Sequence, residues 1–158
     1  SGTPGIVFTP LNADYTYVQP AAQAAAITSP VVNAGRYEVE VVLYYTTTAD
    51  NVGLGQFGFI DFNFGGTAAV GAARYGIAGS SGQALVEPAS VGTWGNVVQN
   101  IGCAGTPGVP ATVIIKGTMQ VAVGGTIAFL VGEDVDGTAG QSFTLLTNSY
   151  LKLTRVGP

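Results

Sequence analysis

Arg36-Tyr-Glu-Val-Glu-Val-Val-Leu-Tyr-Tyr45 is the stretch that decides the fold. Tyr37, Val39, Val41, Leu43 and Tyr45 recur with a period of two, and Glu38 and Glu40 occupy alternate positions. That pattern specifies a β-strand with one face against a core and the other toward water. Asn33-Ala34-Gly35 precedes it as a turn, and the polar run from Thr46 to Asn51 closes it.

The same reading extends along the chain. Gln56 to Phe64 puts Ile60, Phe62 and Phe64 on one face and Phe57, Phe59, Asp61 and Asn63 on the other, so aromatic side chains occupy both faces. A strand covered on both sides, by the core and by a neighbour such as a second subunit, would explain this. A central strand under a loop would explain it equally. Short strands are expected at Ala72–Ala78 and Gln83–Glu87, with a long Pro- and Gly-rich crossover from 88 to 110 that contains Trp94 and a short strand at Val97-Val98.

Four strands follow: Ala111–Val121, Thr126–Val131, Ser142–Leu146 and Ser149–Arg155. Gly124-Gly125 between the first two is read as a hairpin turn that pairs them. Pro20 to Ala26 has helix propensity but is too short for more than one turn. Strands without alternating helices predict an all-β chain, an antiparallel two-sheet sandwich.

Composition narrows the chemistry. Of 158 residues only 9% are charged, hydrophobic residues reach 47%, and the net charge is −4. Nucleic acid is not expected as a partner, because that affinity comes largely from Lys and Arg against phosphates. No apolar run is long enough to cross a membrane as a helix, so no membrane partner is expected. Histidine is absent, which removes the commonest general base and metal ligand. Cys103 is the only cysteine and reads as a small buried hydrophobe.

Other motifs are weak. Glu133, Asp134 and Asp136 before Gly137 have the alternation of a calcium loop but lack its remaining ligands, so a solvated turn is the plainer reading and no metal or cofactor is expected. Asp14, Glu38, Glu40, Asp50, Asp61 and Glu87 form no paired-acid motif. Lys116 and Lys152 sit on strands without a telling serine, and read as outward strand charges. No catalytic residue emerges, and the chain is not expected to be an enzyme. Tyr15, Tyr17, Tyr44, Tyr75 and Tyr150 are candidates for sugar stacking or, more plainly, for burial. Trp94 is the favoured glycan contact.

Three segments carry a resemblance: Val31–Tyr45 with its Gly-Arg-Tyr opening, Ile115–Phe129 with Val-Gly-Gly-Thr, and Asn148–Thr154 with Ser-Tyr-Leu-Lys. Together they resemble a bacteriophage structural-protein domain, similar to the trimeric jelly rolls of the tumour-necrosis-factor and complement head-domain superfamily. The resemblance implies a jelly roll over 31–158, preceded by an extended arm and first strand over 1–30. It further implies a homotrimer, with Phe57, Phe59 and Tyr150 as candidate interface residues.

Phage domains of this kind form tail-fibre tips, head fibres or capsid cement. Because the stretch has no fibrous stem, the expectation is a virion-surface protein that decorates or cements a capsid, with the major capsid protein as partner and the arm as attachment. The alternative is a receptor-binding tip that recognises a host surface glycan.

Overall fold

The computed structural model describes residues 5–18, 22, 24–47, 59–79, 99–102, 108–133 and 142–158. Every regular element among them is a strand: β1 (Ile6–Pro10), β2 (Tyr15–Val18), β3 (Ala24–Thr28), β4 (Gly35–Thr47), β5 (Phe59–Gly65), β6 (Ala69–Gly79), β7 (Gln99–Gly102), β8 (Ala111–Val123), β9 (Ala128–Glu133), β10 (Ser142–Leu145) and β11 (Tyr150–Gly157). They form two antiparallel sheets, consistent with a β-sandwich.

In the larger sheet β4 is central. β8 pairs along one side of it and is flanked by β6. Along the other side β11 and β10 lie end to end, flanked in turn by β1 and β2. The smaller sheet has the order β3-β9-β5-β7.

The alternation read in β4 is the core of the molecule. Tyr37, Val39, Val41, Leu43 and Tyr45 are all buried, and Val113, Ile115, Met119, Leu151 and Leu153 from the flanking strands join them. The smaller sheet contributes Phe62, Phe64 and Phe129, and Tyr75 reaches these rings from the larger sheet. Its centroid lies 5.6 Å from that of Phe62 and 5.3 Å from that of Phe64. Edge-on and offset contacts at such distances are favourable beyond their buried area. Burial pushes the Tyr75 hydroxyl pKa up to about 12.

Gly117 lets Tyr75 sit there. It lies directly opposite Tyr75 in the register, and a Cβ at this position would run into the Arg74 carbonyl and the Tyr75 backbone.

Two interruptions are repaired by side chains. Between β10 and β11 the chain turns at Asn148, whose φ is 74°, a left-handed conformation that Asn tolerates better than most residues. The Tyr44 amide of β4 would lose its partner at this gap. Instead it donates to Ser149 Oγ at 3.0 Å, while the Leu146 amide donates to the Tyr44 carbonyl at 2.7 Å. On the neighbouring row, Asp14 between β1 and β2 accepts hydrogen bonds from the Thr147 amide and hydroxyl, both 2.7 Å. These bonds hold its carboxyl below the usual range.

Two expectations are corrected. The helical turn expected in Pro20–Ala26 is contradicted at its end, because Ala24-Ala25-Ala26 belong to β3. Pairing with β9 and burial of Ile27 override the helix propensity of alanine there. The Gly124-Gly125 segment is not a hairpin between its neighbours either. β8 pairs with β4 and β6, whereas β9 pairs with β3 and β5. The turn therefore carries the chain from one sheet to the other. Gly125 makes a bridge with Val32, in which each amide donates to the other residue's carbonyl, and its Cα faces the Thr67–Ala68 backbone too closely for a side chain.

The stretch 1–30, read as an arm with a first strand, supplies β1 and β2 to the larger sheet and β3 to the smaller one. Its described residues from Ile6 to Val18 thus have their ladder hydrogen bonds within the sandwich. The expected strands at 83–87 and 97–98, together with Cys103, lie outside the described residues.

Candidate functional site

The outward face of the larger sheet gathers charge in a chain that has little. All five cationic residues lie on its strands: Arg36 on β4, Arg74 on β6, Lys116 on β8, and Lys152 and Arg155 on β11. Strand alternation sends Arg36, Arg74, Lys116 and Lys152 outward, because their neighbours Tyr37, Ala73, Tyr75, Ile115, Leu151 and Leu153 are buried. Glu38 and Glu40 point the same way from β4. By contrast, the strands of the smaller sheet contain only Asp61 and Glu133 as charged residues.

Register fixes the arrangement on this face. Lys152 and Lys116 stand opposite Glu40 on its two sides, and Thr154 and Thr118 stand opposite Glu38. Glu40 Oε2 lies 3.2 Å from Lys116 Nζ, and Oε1 lies 3.7 Å from Lys152 Nζ. Oε1 also accepts a hydrogen bond from the Tyr150 hydroxyl at 2.5 Å. That bond, more than the two ammonium groups, holds the Glu40 carboxyl below its ordinary pKa, against a smaller opposing effect of burial. The same bond raises the Tyr150 pKa to about 12. The Tyr150 ring packs against Phe8 at 4.9 Å between centroids, and Phe8 is itself 54% exposed.

Around this node runs a shallow depression of about 390 Å³, with Glu38, Glu40, Lys116, Thr118, Lys152 and Thr154 along it. A second, of about 560 Å³, adjoins it at Thr118 and is bordered by Arg36, Arg74 and Gln120. Arg36 Nε donates to Gln120 Oε1 at 3.0 Å. A carboxylate kept ionised at neutrality accepts hydrogen bonds and does not donate protons. The chemistry of the face is therefore that of hydrogen bonding and charge, with donors and acceptors interleaved.

The residues singled out from the sequence do not form one patch. Phe59 opens β5 of the smaller sheet opposite Gly102, whereas Tyr150 is half-buried on the outer face of the larger sheet. Phe57 and Trp94 lie outside the described residues, as do Asp134 and Asp136. Glu133 ends β9. Among the described residues no group of acidic, Cys or His side chains is placed to hold a metal, and no helix is long and apolar enough to cross a membrane. Of the tyrosines considered for stacking, Tyr17 and Tyr75 are buried, and Tyr17 stacks on Phe143 at 5.1 Å.

The Glu40 node was missed as a unit because its members come from β4, β8 and β11. The available signals were Glu38 and Glu40 on the outward face of the central strand and Lys116 and Lys152 reading as outward strand charges. No protein-family model matches the sequence, and no curated protein matches it significantly.

Proposed function

We propose that this chain is a virion-surface structural protein of a bacteriophage, a trimeric jelly roll that decorates or cements the capsid. The observation that carries the reading is the strand order. Taking β1 with β2 and β10 with β11 as single interrupted strands, one sheet runs β1-β11-β4-β8 and the other β3-β9-β5-β7. Successive strands thus alternate between sheets in the manner of two Greek keys wrapped into a jelly roll, with β6 added at the β8 edge. The segments that carry the phage resemblance fall at structurally demanding points of this order. Gly35-Arg36-Tyr37 begins the central strand, Gly124-Gly125 crosses between sheets, and Asn148-Ser149-Tyr150 bridges the β10–β11 gap.

The distribution of charge supports assembly through the other side of the molecule. Interface cores are depleted in charged residues, and the strands of the smaller sheet carry no cation, their charged residues being Asp61 and Glu133. A closed ring of three needs two different patches that meet head to tail, and this sheet supplies one of them. Because Ile6–Val18 is built into the larger sheet, capsid attachment falls to surfaces of the folded body and not to a free arm over those residues.

Gold-labelled antibody against the purified protein, applied to virions of the encoding phage, tests the assignment. Label over the capsid surface is the expected result. Label at the tail tip would support the fibre reading, and unlabelled particles would contradict both.

A further inference from the structure

We propose that the outer face of the larger sheet, between β11 and β6, is a binding site for a carboxylate-bearing oligosaccharide. The inference is independent of the capsid reading, which assigns no contact to this face.

Charge comes first. On a chain of net charge −4, this face carries four of the five cations. Arg36 and Arg74 flank β8 from opposite sides, beside Gln120 and Thr118. Planar guanidinium groups suit a carboxylate, and their position at one end of the face sets where the acid group would lie.

The carboxylates decide the class of ligand. Glu38 and Glu40 stand among the cations, so a polyphosphate or an acidic peptide laid across the face would meet like charge. A sugar would not, because each hydroxyl both donates and accepts. The Glu38 and Glu40 side chains accept, Lys116 and Lys152 donate, and Thr118 and Thr154 do either. The Tyr150 bond and the two lysines fix Glu40 in place before any ligand arrives, which reduces the ordering cost of binding.

Dimensions agree. From the Arg36 row to the Glu40 row is four residues, roughly 13 Å along the strands, and from β11 to β6 is three strand spacings, roughly 14 Å. The two adjoining depressions, of about 390 and 560 Å³, would admit two or three pyranose rings. At the far end the exposed Phe8, seated on Tyr150, offers an apolar ledge for the C–H face of a ring.

The test is titration of the full chain, by isothermal calorimetry and amide chemical shifts, with 3′-sialyllactose and 3′-sialyl-N-acetyllactosamine, each of which bears a single carboxylate. Their neutral counterparts, lactose and N-acetyllactosamine, serve as controls, as does a glutamate-rich peptide. Expected is millimolar or tighter binding of at least one acidic sugar, at least tenfold weaker binding of its neutral counterpart, and weakening as salt rises. R36Q and R74Q should each weaken binding fivefold or more, F8A should weaken it with the neutral sugars as well, and D14N should leave it unchanged. The proposal is overturned if neither acidic sugar binds at millimolar concentration, if the neutral forms bind equally, if R36Q and R74Q have no effect, or if the peptide competes on equal terms. The mass of the particle in solution, measured by light scattering on the same samples, reports separately on the proposed trimer.

Discussion

Tyr150 on β11 and Glu40 on β4 are joined diagonally across two strands. The register sets Tyr150 opposite Val42 and Lys152 opposite Glu40, yet the Tyr150 hydroxyl reaches back to Glu40 Oε1 at 2.5 Å. A phenol and a carboxylate thereby share one short bond on an otherwise wet surface, with Phe8 packed on the ring.

Replacing Tyr150 by Phe keeps the ring on Phe8 and removes the bond. A hydrogen bond to a charged group is worth about 1.5–3 kcal/mol. Exposure of this face screens it, so the expected loss in urea-unfolding free energy is about 1 kcal/mol. The Glu40 carboxyl should titrate at higher pH in the variant, which carboxyl-carbon NMR shifts would show.

Acid should weaken the fold through the same residue. The Glu40 carboxyl is lowered in the folded state, so its contribution is present above the unfolded carboxylate pKa and disappears as pH falls through the folded value. Melting temperatures measured from neutrality down into the acid range should fall more for the native chain than for Glu40→Gln.

Alkali acts with the opposite sign. Tyr75 and Tyr150 both have pKa values pushed up to about 12, while unfolded tyrosines ionise near 10. The unfolded chain loses these protons first, so stability should decline as pH rises from about 10 toward 12. In a titration followed by tyrosinate absorbance, Tyr75 and Tyr150 should ionise late, and Tyr150→Phe should remove one late-ionising group.

Core packing gives two further expectations. Phe129 is fully buried, with ring centroids of Phe62 and Phe64 each 5.5 Å away, so Phe129→Ala should cost about 3–5 kcal/mol. Gly117→Ala forces a Cβ into the Arg74 carbonyl and should cost about 1–3 kcal/mol. Chemical denaturation measures both.

The sequence made the central strand plain, because five alternating apolar residues in β4 admit only one face toward the core. The same period grouped Phe62 and Phe64 on one strand face, but with Phe57 and Phe59 opposite them the pattern alone did not say which face the core takes. β3 was not, because Ala24-Ala25-Ala26 has no β-branched residue and only Ile27 anchors it. The Gly124-Gly125 crossover was misread because glycine marks a tight turn without saying whether the next strand pairs with the last one or leaves its sheet. The charged face was illegible for another reason, since register alone places residues 40, 116 and 152 side by side.

The proposed trimer would hide the smaller-sheet side of the sandwich against identical copies. Multi-angle light scattering of the purified chain at micromolar concentration tests this most directly. It should give a mass three times that of the 15.9 kDa chain, unchanged on dilution as expected of an obligate assembly. A single species with the mass of one chain would contradict it.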